Sequence, residues 1–252
     1  MIETRSTFYY GITIDSNTQV IPFSEGAGEI LAELRIGSYT LTDFVNEISL
    51  AMNNVSSNNY VISVNRDNRL ITISGDSNFE LLTNSSLLVG VSAFPYIGFD
   101  NLTDKTGSNS YTGSFGSGSE FLPQYYLQSY VPFINENEIS GSSINESATG
   151  QIEVISYGLR QFMTCNIRFS NNSIQSCVNS PFDYNENGYD DLITFMSWCI
   201  GKKPVEFIAD ISDRNAFDKC IYETSVKYLL REQLKDGLKD HYETGTIKFR
   251  KV

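Results

Sequence analysis

The patterned part of the chain opens at Thr7 to Ile14, where Phe8, Tyr9, Tyr10, Ile12 and Ile14 give the aromatic and β-branched content of a strand. Beyond the Gly26-Ala27-Gly28 turn, Ile30, Ala32, Leu34 and Ile36 fall on one face of a second strand, which Gly37-Ser38 ends. The period then changes. Phe44, Ile48, Ala51 and Met52 lie on one stripe at helical spacing, which predicts a helix from Asp43 to Asn53 with Thr42 as N-cap. Tyr60, Ile62 and Val64 alternate, as do Ile71 and Ile73, and Asp67-Asn68 between them supplies the turn of a hairpin. A further strand is predicted at Phe79 to Leu82. The first half therefore reads as one helix on a small, mostly antiparallel sheet.

From Asp104 to Ser119 the pattern stops, and Gly and Ser dominate. This composition predicts a flexible linker, with a helix-on-sheet domain at 1–103 and a second domain at 120–252. The second half opens with aromatic strand material, Phe121 to Phe133, and the polar stretch Asn135 to Thr149 reads as a loop. The longest alternation follows from Leu159 to Phe169. It sets Met163, Cys165, Ile167 and Phe169 on one face and Thr164, Asn166 and Arg168 on the other, a sheet with one buried and one polar face. A helix is predicted from Asp190 to Cys199, with the stripe Leu192, Phe195, Met196 and Cys199, acids in its first turn and Gly201 past its end. Trp198 falls at the margin of that stripe. Strands follow at Val205 to Ile208, Cys220 to Tyr228 and Thr244 to Phe249. The fold class predicted is α+β, mostly β: a small antiparallel sheet with one helix, followed by a β-sandwich with a flanking helix.

Charge changes the picture of possible partners. The 252 residues carry 18 basic and 30 acidic side chains, a net of −12. The acid is uneven: Lys202 onward holds 11 basic and 9 acidic residues, so the preceding chain carries −14. Such a surface repels phosphate backbones, so no direct nucleic-acid binding is expected. No apolar run is long enough to span a membrane and no secretory signal is visible at Met1 to Arg5, so no membrane partner is expected. Cys165, Cys177, Cys199 and Cys220 form no C-x-x-C pair and read as buried free thiols.

Candidate chemistry is sparse. The single histidine, His241, lies between charged segments and reads as a surface residue. No nucleophile elbow, zinc-protease, Walker or dinucleotide motif is present, so no catalytic residue and no cofactor is expected; catalysis by carboxylates alone stays open. Asp183, Asn185 and Asn187, followed by Gly188, Tyr189 and Asp191, spell the first part of a calcium loop. Its twelfth position is Thr194 rather than a bidentate Glu, and an Asn-Gly turn capping the next helix explains the same residues. No metal is therefore expected. Lys202-Lys203 complements the helix C-terminus. Tyr125, Tyr126, Tyr130 and Phe133 suit a core or subunit-interface strand, with a sugar platform as the alternative.

Two stretches carry a family resemblance. Gly37-Ser38-Tyr39-Thr40-Leu41-Thr42-Asp43-Phe44, the helix ending Ala51-Met52-Asn53, Tyr60 to Val64, Leu70 to Ser74 and Phe79 to Leu82 resemble a module common in virion proteins of tailed bacteriophages. Ile97-Gly98-Phe99 is similar to its closing turn. Ile155-Ser156-Tyr157-Gly158, the helix with Phe195 and Trp198, and Pro204 to Phe207 resemble the tail-tube-type fold of distal tail and minor tail proteins. The resemblance implies a non-enzymatic virion structural protein of a viral tail, made in the bacterial host cytoplasm. It implies a distal tail or baseplate ring, a homo-oligomer such as a hexamer, that meets other phage tail proteins. A receptor- or carbohydrate-binding module, and a neck, connector or capsid decoration protein, are the alternatives.

Overall fold

A computed structural model of the chain describes residues 6–121, 134–139, 143–146, 152–155, 159–170, 188–223, 231–232 and 241–252. In chain order the N-terminal elements are β1 (Thr7–Tyr10), β2 (Ile12–Ile14), β3 (Val20–Ser24), β4 (Glu29–Glu33), β5 (Gly37–Tyr39), α1 (Leu41–Val55), β6 (Tyr60–Asn65) and β7 (Leu70–Leu81). A 3-10 turn at Val89–Val91 and the short α2 (Phe94–Ile97) precede β8 (Lys105–Thr112) and β9 (Ser119–Phe121). There follow β10 (Ile134–Ile139), β11 (Ser143–Glu146), β12 (Ile152–Ile155), β13 (Leu159–Ser170), α3 (Gly188–Ile200), β14 (Val205–Ile208), β15 (Phe217–Tyr222), β16 (Arg231–Glu232) and β17 (His241–Lys251). The protein is α+β and mostly β, with antiparallel sheets. Two compact units form: Met1–Phe121 with Lys203–Phe217, and Leu122–Lys202 with Asp218–Val252.

In the first unit, β4, β3, β7 and β6 lie side by side, and β8 pairs with β7. Helix α1 covers this sheet with Phe44, Ile48 and Met52, all fully buried against Ile21, Phe23, Ile71 and Ile73 among others. An edge-to-face series of rings runs through the core: Phe23 to Tyr60 at 5.4 Å, Tyr60 to Phe79 at 4.9 Å and Phe79 to Tyr111 at 5.0 Å. The helix starts earlier than its spacing predicts. Thr40, not Thr42, is the N-cap, its hydroxyl accepting from the Asp43 N–H at 3.1 Å. The far end is pinned by Asn53, whose side chain accepts from the Tyr60 N–H at 2.7 Å and donates to the Tyr60 carbonyl at 2.9 Å.

The predicted hairpin is β6–β7, and its turn is held by the Asn65 and Asn68 side chains. The strand expected at Phe79 to Leu82 is the far end of β7. Thr7 to Ile14 is two strands rather than one, interrupted at Gly11; β1 pairs with β9 and β14, and β2 pairs with β5. Strand β3, which carries Pro22 and is buried throughout, has no alternation to announce it.

The Gly/Ser stretch from Asp104 to Ser119 is a packed part of the first unit, not a flexible linker. Strand β8 lies within it, Tyr111 reaches the ring series, and Ser117 is buried with its hydroxyl on the Tyr96 carbonyl at 2.6 Å. Glycines serve close approach both within it and opposite it. A Cβ on Gly116 would stand 2.7 Å from the Asn68 carbonyl oxygen, and one on Gly98, in the segment facing the stretch, would stand 2.2 Å from the Phe115 carbonyl oxygen. Gly98 also holds φ +96°, a conformation that side chains rarely adopt.

In the second unit β10, β13, β17 and β15 lie side by side, β16 pairs with β17, and β11–β12 form a separate hairpin. The stretch Asn135 to Thr149, expected as a loop, thus holds most of β10 and all of β11. Its polar composition hides pairing that β13 and β12 supply. Helix α3 packs on β13, with Phe195, Met196 and Cys199 buried and Trp198 half-buried at the margin, as the stripe predicts. The face of β13 expected to be polar is covered at one end: Phe162 and Thr164 are buried, and the Lys248 ammonium sits 3.9 Å from the Phe162 ring centroid. The aromatic run at 125–133 and the second half of the strand expected at Cys220 to Tyr228 lie outside the described residues.

Gly98→Ala is expected to cost more than about 1 kcal/mol in equilibrium unfolding, because strain and collision act together. Gly90→Ala, where a Cβ meets nothing within 4 Å, is expected to stay within about 0.5 kcal/mol. Equal effects would mean that the Gly/Ser stretch is not held against Gly98.

Candidate functional site

The densest set of charged side chains in the first unit gathers where β14 meets β1. Strand β1 offers Thr7 and Tyr9, the β6–β7 turn offers Arg66 and Asp67, and β9 offers Glu120. The chain returning at Lys203–Phe217 offers Glu206, Arg214 and Phe217. Glu206 is fully buried, and both terminal nitrogens of Arg66 donate to its Oε2, at 2.8 and 2.5 Å. Its other oxygen accepts the Thr42 N–H at 2.8 Å, at the positive end of α1. Arg66 also donates from Nε to the Arg214 carbonyl at 2.9 Å, and its guanidinium lies 3.9 Å from the Phe217 ring centroid.

A second layer adjoins the first. Arg214 donates to Glu120 at 2.6 Å and to the Tyr9 hydroxyl, and Thr7 donates to Glu120 at 2.9 Å. The Tyr9 hydroxyl donates to the Arg66 carbonyl at 2.5 Å. Burial, then the Glu120 charge, push the Tyr9 phenol above its ordinary value, so it acts as a neutral donor. The buried Glu206 and the half-buried Glu120 are taken up by hydrogen bonds to Arg66 and Arg214, and the exposed Asp67 lies 3.7 Å from Arg214. The arrangement is that of a structural junction rather than of a poised acid, base or nucleophile.

A separate buried carboxylate, Glu47 on α1, receives the Arg35 backbone N–H at 2.8 Å and its side-chain Nε at 2.9 and 3.0 Å. These bonds hold its carboxyl below the ordinary 4.5. In the second unit Cys220 is buried, and desolvation followed by the Asp218 charge raise its thiol to about 12, which leaves it unreactive.

The surface of the first unit has two features of interest. On the outer face of β6–β7–β8, hydroxyls pair across strands, Thr72 with Thr112 and Ser74 with Ser110, each at 2.8 Å. Beside β7, two loops are tied together by Thr83 donating to the Thr103 carbonyl and by Asp104 accepting the N–H groups of Asn84 and Ser85, at 2.7 and 3.0 Å. These loops carry Leu87, 99 % exposed, and Leu102, 74 % exposed.

Of the residues singled out from sequence, Asp183, Asn185 and Asn187 lie outside the described residues, as do Tyr125, Tyr126, Tyr130, Phe133 and Cys177. Tyr189 and Asp191 fall at the start of α3, which begins at Gly188. Among the described residues no group of three or more His, Cys, Asp or Glu side chains is placed to hold a metal ion, and no helix is long and apolar enough to cross a membrane. His241 is the first residue of β17, opposite Ser170. Lys202 and Lys203 are engaged within the protein, Lys202 with the Tyr222 carbonyl and ring, Lys203 with the Thr13 hydroxyl at 3.4 Å. The Arg66–Glu206 set escapes sequence reading because its members are 140 positions apart. Comparison with protein-family models and with curated proteins finds no match to this chain.

Glu206→Gln is expected to lower the unfolding free energy by about 3–5 kcal/mol, because it strands a buried guanidinium. Combined with Arg66→Met it should cost less than the two single changes added together; additive costs in urea unfolding would show that the groups do not depend on each other. Glu47 has a sign that can be worked out. Its folded value is depressed, so its stabilisation is present above about 4.5 and is lost as pH falls through the lowered value. Glu47→Gln should therefore flatten the loss of stability on acidification below that pH, and an unchanged slope would sink the assignment.

Proposed function

We propose that the protein is a non-enzymatic structural component of a bacteriophage tail, at the distal tail or baseplate. In this reading it assembles with copies of itself into a ring, such as a hexamer, and joins other tail proteins there. The resemblance of the 37–82 stretch to a virion module and of the later stretches to tail-tube-type proteins supplies the class. The observation that carries the interaction role is the pair Leu87 and Leu102. These large apolar side chains stand exposed on loops tied to each other by hydrogen bonds, and in this reading they are where a partner docks. The net charge of −12 keeps free subunits apart in solution until complementary contacts form.

Light scattering on the full-length protein tests the reading. A mass of several chains at high micromolar concentration, falling towards one chain in Leu87→Ser with Leu102→Ser, is the expected result. A single-chain mass at every concentration, with the double variant unchanged, would count against self-assembly through these loops.

A further inference from the structure

We infer that residues 203–217 are a closing strap for the N-terminal unit, a conformational latch that holds β1, β9, the α1 N-terminus and the β6–β7 turn shut as one cooperative element. The chain leaves this unit at Phe121 and returns to it only at Lys203, the residues between belonging to the other unit. What returns is built to be buried. All four residues of β14 are inaccessible, and Thr7, Phe8 and Tyr9 pair antiparallel with Ile208, Phe207 and Glu206. Phe207 lies 5.0 Å from Phe8, ring centre to ring centre.

The strap adds a charged partner to four elements that also touch one another, β1 pairing with β9 and Tyr9 donating to the Arg66 carbonyl. It gives a carboxylate to the first turn of α1 and to Arg66 of the β6–β7 turn through Glu206. It gives a guanidinium to Tyr9 of β1 and to Glu120 of β9 through Arg214. Removing it would strand the buried Arg66 guanidinium, the Thr42 N–H and one edge of β1 together. Each loss is costly on its own, so partial release gains little and the four elements open in concert. Other ties in the unit do not involve the strap. Asn53 holds Tyr60, and Arg35 holds Glu47. These mark the part of the unit that stays closed. Since the strap is made after residues 122–202, the N-terminal unit reaches its closed form only once that first part of the other unit has been synthesised.

Hydrogen exchange on the full-length protein, read by mass spectrometry of peptides in sub-denaturing urea, tests this. In the wild type, peptides covering 7–10, 41–45, 65–69, 119–121 and 203–217 should respond to urea alike and exchange ahead of 46–64 and 70–81. In Glu206→Gln the first group should exchange at least about tenfold faster, with the second group much less affected. Acceleration confined to 203–217, or spread evenly over the whole unit, would overturn the inference. If the variant does not fold, the wild-type urea series alone decides, because independent exchange of the strap would be visible there.

Discussion

The fold of the N-terminal unit turns on a single buried carboxylate. Glu206 is fully buried, faces the positive end of α1 and receives both terminal nitrogens of Arg66. A buried charge persists only where its desolvation is offset by good geometry and full hydrogen bonding. Both conditions are met because a strand from late in the chain carries the acid to a helix and a turn from early in the chain. Helix placement, hairpin turn and strand pairing are thereby made mutually dependent.

The Gly/Ser stretch shows the same dependence from the side of the backbone. In isolation its composition describes a chain with little to bury. In the folded unit the absence of a Cβ is what allows Gly113 and Gly116 to lie against the carbonyl oxygens of Ile97 and Asn68. The hydroxyls of Ser114 and Ser117 then donate to the carbonyls of Gly98 and Tyr96. Small size, rather than flexibility, is the property used.

Among the described residues of the N-terminal unit, the charged groups around Glu206 are spent on internal contacts, and Leu87 and Leu102 stand exposed on loops tied to each other by hydrogen bonds. That combination suits a part that meets other parts more than it suits one that transforms a ligand, which is the sense in which the tail-component reading is proposed. A charge of −12 and a mostly β architecture are compatible with the proposed role.

Sequence by itself determined the elements whose signal is local. The α1 stripe of Phe44, Ile48 and Met52, the β6–β7 hairpin with its Asn-rich turn, the presence of strand β13 and the buried Phe195, Met196 and Cys199 of α3 all rest on spacing within about a dozen residues. Spacing is fixed by helix and strand geometry whatever the partner. Tertiary structure decided the rest. Thr40 outranks Thr42 as the cap of α1, where the Thr42 N–H is taken by a carboxylate 164 residues away. Strand β10 is polar in sequence and becomes a strand because β13 lies beside it. Val205 to Ile208 reads correctly as a strand, but nothing in those four residues says that they belong to the first unit. That assignment depends on a buried arginine and a tyrosine hydroxyl more than a hundred positions away, and pairing over such distances leaves no periodic trace in the chain.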